Sequence, residues 1–120
     1  MIARYWLGAV TAVLMFAAGS TTLQGAALYW SKFPVRTQKE ARCMEFAYGA
    51  ASQQGLQNIR RIAIEVSGTK AGVYVALTCV GRGGGLPAMA IVIATGDNQS
   101  TVIAIRDQLA AQIAKMVSFD

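Results

Sequence analysis

The sequence predicts a two-layer α+β domain that follows an N-terminal signal or anchor segment. Three observations point to this class. No charged residue occurs from Tyr5 to Ser31, the hydrophobic spacing beyond it changes from helical to alternating and back, and the 120 residues contain two cysteines and no histidine. The expected order of elements is αβββα, with a three-stranded antiparallel meander and both helices on one face of the sheet.

The opening of the chain has the features of an export signal. A single arginine near the start is followed by Leu7–Ala18, an apolar run as long as a signal-peptide core and too short to span a bilayer alone. Small residues at Gly25–Ala27 predict cleavage after Ala27, and Ala18–Ser20 offers a second cleavage site. Residues 1–27 are therefore expected to form a signal peptide.

An uncleaved membrane anchor extending to about residue 31 is the alternative, with Tyr29 and Trp30 at the bilayer interface. The positive-inside rule opposes this alternative, because several basic residues follow the segment: Lys32, Arg36, Lys39 and Arg42. The expected location is thus periplasmic or secreted after cleavage. Under the alternative, the domain is anchored in the inner membrane and lies outside the cytoplasm.

Residues 28–36 are expected to be a lead-in linker or packing arm, because Pro34 interrupts any helix there. The domain itself is expected over residues 37–120. Thr37 and Glu40 have the spacing of a capping box, which predicts a helix over residues 38–54 that ends before Gly55. Its apolar stripe is Cys43, Phe46, Ala47 and Ala50.

Three strands follow, because the hydrophobic period changes to two. They are expected at residues 59–66, 73–80 and 88–94, joined by a turn at 67–72 and a loop at 81–87. The predicted core face of the second strand carries Val73, Val75, Leu77 and Cys79, and that of the third carries Met89, Ile91 and Ile93. A second helix follows an N-cap within residues 97–100, and its apolar positions are Val102, Ile105, Leu109, Ile113 and Met116.

Cys43 and Cys79 both fall on predicted core faces, one helical and one extended. An even pair in an exported chain is typical of a disulfide, and closing this loop stabilises the fold by about 4 kcal/mol on the chain-entropy model. Without histidine or a third cysteine the pair cannot make the usual zinc site, so no metal is expected.

The composition also narrows the classes of function. Hydrophobic residues make up 54% of the chain and charged residues 14%, with a formal net charge of +5. The basic residues are scattered, so weak contact with an anionic membrane surface is expected and nucleic-acid binding is not. The absence of histidine excludes Ser-His-Asp and Cys-His catalysis, so the chain is not expected to be an enzyme or to bind a cofactor.

The face of the sheet opposite the helices is predicted to be small-sided and apolar, which indicates that something covers it. Another protein, a second copy, or the lead-in aromatics Tyr29, Trp30 and Phe33 are the alternatives. Four basic residues are expected to rim this face: Arg60, Arg61, Lys70 and Arg82. The face itself is expected to show Ala63, Tyr74, Ala76, Thr78, Ala90, Val92 and Ala94.

The sequence thus favours a non-enzymatic exported domain that acts by protein-protein contact through this face. The alternative is a small-ligand or anion binder that uses the glycine-rich loop. In that hypothesis Arg82 and the backbone amides of Gly83, Gly84 and Gly85 contact the anion.

Overall fold

The computed structural model describes residues 26–120, which form an α+β domain with a five-stranded antiparallel sheet and two helices. The strands are β1 (Ala27–Pro34), β2 (Gln57–Ile62), β3 (Glu65–Lys70), β4 (Val73–Val80) and β5 (Met89–Gly96). The helices are α1 (Glu40–Gln53) and α2 (Gln99–Lys115). The sheet order is β1-β5-β4-β3-β2. The predicted apolar signal core and the cleavage site at Ala18–Ser20 lie outside the described residues.

Both helices pack on the same face of the sheet, as predicted. Helix α1 lies over β3 and β4, and α2 lies over β1 and β5. Between the layers is a core in which Val75, Leu77, Val92 and Leu109 are almost fully buried. Neither helix within residues 26–120 is long and apolar enough to cross a membrane.

Helix α1 ends as predicted but begins differently. Gly55 has a φ of 76°, and the Leu56 amide bonds back to the Ala51 carbonyl, a C-terminal motif that glycine favours. At the start, the Glu40 carboxylate accepts a hydrogen bond from the Gly81 amide at 2.9 Å. Glu40 therefore ties the helix to the end of β4, and the expected capping box does not form.

Helix α2 begins within the predicted capping run. The Asn98 side chain accepts a hydrogen bond from the Thr101 amide at 3.0 Å and so satisfies one of the free N–H groups of the first turn. The predicted apolar positions face the sheet: Val102, Ile105, Leu109 and Ile113 are buried, and Met116 is partly buried against the core.

The stretch expected as one strand and one turn forms a hairpin instead. A two-residue turn at Ala63 and Ile64 separates β2 from β3, with Ala63 at a φ of 52°. A second turn, at Ala71 and Gly72, has positive φ at both residues, which is the type I′ geometry of tight hairpins. The first turn lacks the glycine or asparagine that marks such geometry, so the alternating pattern concealed it.

The lead-in segment expected as a linker forms most of β1, which pairs antiparallel with β5. The sheet therefore has five strands where three were expected. Tyr29 and Phe33 point toward the helices and pack against the core, so they do not fold over the opposite face. Ala27–Pro34 is extended, so the part of the chain that the structure describes has no helix over residues 27–31.

Candidate interaction face

Cys43 and Cys79 form a disulfide that joins α1 to β4 beneath the helices. Their Cα atoms are 5.9 Å apart, within the usual range for this bond, and both residues are fully buried. The bond spans a sequence separation of 36 and links the two layers of the domain. This confirms the predicted pairing and indicates an oxidising, extracytoplasmic location.

The strand register defines which side chains lie on the other side of the sheet. Residues directly opposite each other on neighbouring strands share a face. Leu77 pairs with Val92 on the helix-covered face, so their neighbours Ala76 and Ile93 pair on the opposite one. We call this second surface the outer face. Its residues are Leu28, Trp30, Lys32, Pro34, Gln57, Arg60, Ile62, Glu65, Ser67, Thr69, Tyr74, Ala76, Thr78, Val80, Met89, Ile91, Ile93 and Thr95.

The structure places only some of the expected interaction residues on the outer face. Tyr74, Ala76 and Thr78 do lie on the outer face. Ala90 and Val92 do not, because both are buried beneath the helices, as is Ala94. Ala63 belongs to the β2–β3 turn.

The prediction for β5 was inverted because this strand is apolar on both sides. Alternation then gives the two sets of residues but not which set faces the core. The sequence analysis assigns the larger set, Met89, Ile91 and Ile93, to the core face. The smaller side chains are the ones beneath the helices, where Ala90 and Ala94 occupy less of the space between the layers.

The sequence analysis predicted Tyr74 on the outer face but missed three members that are more exposed: Leu28, Trp30 and Ile62. Ile62 is 65% exposed, Leu28 63%, Trp30 59% and Tyr74 49%. Within residues 26–120 no helix or loop packs over them. The alternation of Tyr29, Ser31 and Phe33 with Leu28 and Trp30 was the available signal for β1, but the proline and the neighbouring apolar segment masked it.

The predicted basic rim is only partly present. Arg60 lies on the outer face, opposite Ser67. Arg61 pairs with Val66 and Lys70 with Val73, which places both on the helix-covered side. Arg82 lies in the loop between β4 and β5. The charged residues of the outer face are therefore Lys32, Arg60 and Glu65.

The glycine-rich loop joins two strands, as expected, and is exposed. Gly83, Gly84 and Gly85 all have positive φ, between 60° and 76°. The Nε of Arg82 donates to the Pro87 carbonyl at 2.7 Å, so this side chain closes the loop on itself.

A shallow pocket of about 240 Å³ lies beside this loop, between the segment before α1 and the segment after α2. The Asp120 carboxylate accepts hydrogen bonds from the Thr37 hydroxyl and the Gln38 amide, each at 2.9 Å. The hydrogen bond from the Gln38 amide is the main cause that lowers the pKa of Asp120 to about 2. This carboxylate is held by donors of its own chain, which gives it a structural role.

No protein-family model, curated protein or solved structure matches this chain.

Proposed function

We propose that this chain is an exported, non-enzymatic domain that acts by protein-protein contact through the outer face. One observation carries the proposal: large apolar side chains cover a sheet surface on which nothing packs within residues 26–120. Exposed apolar surfaces of several hundred Å² mark interaction sites in soluble proteins.

The size of the outer face fits such a contact. Three strands have eight residues and are each about 26 Å long, and two have six residues and are each about 20 Å long. At the usual strand spacing of about 4.8 Å they give a projected area of about 570 Å². The accessible area of projecting side chains is larger, and a standard interface buries about 800 Å² on each partner. The outer face is therefore large enough to form the main part of one specific interface.

The edges of the sheet favour contact through the face over strand addition. Edge strands that avoid pairing carry charges, proline or bulges. Strand β1 contains Lys32 and ends at Pro34. Strand β2 is short, contains Arg60 and Arg61, and has a register shift between Gln57 and Arg60. Both edges are protected, whereas the outer face exposes large apolar side chains.

Export is the second part of the proposal. The disulfide supports it, and so does the position of the predicted cleavage site. Cleavage after Ala27 removes one residue of β1 and leaves the strand from Leu28 onward, which includes Trp30. Intact mass of the protein from its native compartment, before and after reduction and alkylation, measures cleavage and disulfide state together. A full-length, fully alkylated chain would overturn this part.

Photo-cross-linking in the native compartment tests the contact. A photoreactive phenylalanine analogue at Trp30 is expected to cross-link a defined protein. Gln108, which is exposed on α2, is the matched control position. Cross-links of equal yield at both positions, or none at Trp30 in a folded protein, would contradict the proposal.

Anion binding at the glycine-rich loop is a second candidate. It is favoured by the three exposed glycines with positive φ beside a guanidinium whose Nη groups have no hydrogen bond within residues 26–120. Inorganic phosphate is then expected to raise the melting temperature of the protein but not of an Arg82→Ala variant. No phosphate-dependent shift in the unmodified protein would exclude this candidate.

A further inference from the structure

We propose that the partner of the outer face is a second copy of this chain, packed face to face about a two-fold axis that runs along β4. This inference rests on the proposed function, since it names the occupant of that contact surface. Two sheets that pack with nearly aligned strands, about 10 Å apart, form an ordinary sandwich core. Such a dimer gives both sheets a second covering layer.

The distribution of side-chain size on the outer face is self-complementary about this axis. The row of residues that crosses the middle of the sheet begins with the bulky Trp30 and Ile93. It continues with the small Ala76 and Ser67 and ends at Arg60. Rotation about β4 exchanges the two halves of the row, so the bulky half of one copy meets the small half of the other.

Ser67 and Ala76 lie in depressions of the outer face. They are only 8% and 9% exposed although no helix covers them, because taller neighbours surround them. The two-fold rotation brings Ile93 of one copy over Ser67 of the second and Trp30 over Arg60. Ile93 then fills the depression at Ser67. The indole contacts a guanidinium, a pairing for which tryptophan is the best of the aromatic residues.

The positions of the charged residues on the outer face also fit the two-fold axis along β4. Lys32 and Glu65 lie in one row, at positions that pair with Ile91 and Thr78 respectively. The rotation brings Lys32 within about one strand spacing, 4.8 Å laterally, of Glu65 of the second copy. It lies nearer to that carboxylate than to Arg60 of the second copy.

An axis perpendicular to the strands gives a poorer match. It would stack Trp30 on its own equivalent and place Lys32 opposite Leu28 of the second copy. Lys32 and Glu65 would then be buried without opposite charges, which is costly. The register therefore selects the axis along β4.

Charge reversal tests the dimer in the protein recovered from its native compartment. Sedimentation equilibrium is expected to show a dimer, and Lys32→Glu or Glu65→Lys alone is expected to weaken it about ten-fold or more, because each substitution acts twice in a symmetric dimer. The double variant Lys32→Glu/Glu65→Lys is expected to recover dimerisation to within about three-fold. Glu45→Lys, an exposed charge reversal on α1, is the control and is expected to have no effect.

Cross-link mapping gives a second, independent measurement. A photoreactive residue at position 30 is expected to join the peptide that contains β2 of the second copy. A protein that is monomeric at all concentrations, yet cross-links a different protein from position 30, would overturn the dimer and retain the proposed function. Absence of any cross-link from position 30 would overturn both. A dimer insensitive to both single charge reversals would overturn the proposed axis.

Discussion

The two sides of β5 are both apolar, yet they differ in the size of their side chains. The smaller set, which includes Ala90 and Ala94, lies beneath the helices, and the larger set, which includes Ile93, lies on the outer face. Strand β4 shows the opposite order, because Leu77 is covered and Ala76 is on the outer face. Neither apolar character nor side-chain size alone therefore identifies the core side of a strand; packing against the helices decides it.

Neighbouring residues of β5 give the largest contrast between the faces. Val92→Asp buries an unpaired carboxylate beneath the helices and is expected to cost at least about 4 kcal/mol, enough to prevent folding. Ile93→Asp on the outer face is expected to cost about 1 kcal/mol, the difference in strand propensity. Circular dichroism and urea unfolding of dilute protein measure both. Equal destabilisation by the two substitutions would contradict the assignment of the faces.

The disulfide lies on the covered face, and its removal is expected to lower the stability of the domain. Cys43→Ala/Cys79→Ala is expected to lower the free energy of unfolding by about 4 kcal/mol, mainly because the unfolded chain gains freedom. The matched control is Thr78→Ala, next to Cys79 on the outer face, with an expected change within about 0.5 kcal/mol. Urea denaturation measures the difference. An unchanged midpoint in the double cysteine variant would argue against the disulfide in solution.

Enlarging one alanine on each face compares how closely the two faces are packed. Ala90→Val is expected to cost about 1–3 kcal/mol, because the covered face has no room for two more methyl groups. Ala76→Val, the same change on the outer face, is expected to alter stability by no more than about 0.5 kcal/mol. Thermal unfolding at low concentration compares them. Tolerance of valine at position 90 would contradict close packing between β5 and the helices.

The hydrogen bonds of the Asp120 carboxylate to Thr37 and Gln38 give the smallest expected effect on stability. Its folded pKa of about 2 is below the usual 3.8, so its contribution is complete above pH 3.8 and is lost as the pH falls toward 2. Asp120→Asn is therefore expected to remove a small part of the acid dependence in that window. Melting temperatures of the two proteins from pH 2 to 5 measure it. Parallel curves would show that the carboxylate is unpaired in solution.

Much of the fold followed from local patterns. The spacing of Cys43 and Ala47 with Phe46 predicted α1, Gly55 predicted its end, and alternation about Leu77 predicted β4. The hairpin at Ala63 was missed because its turn uses no glycine or asparagine. Strand β1 was missed because an isolated alternating segment gains stability only from the neighbour with which it pairs.

The sequence by itself determined both helices and strand β4, because periodicity acts within single elements, and it placed Cys43 and Cys79 on core faces that a disulfide can join. Only the tertiary structure decided which side of β5 faces the helices and that Leu28 and Trp30 join the sheet. A strand that is apolar on both sides fits either face locally, and packing against the helices selects one. The candidate interaction face is thus a consequence of that choice, since the same orientation of β5 that buries Val92 places Ile93 on the outer face.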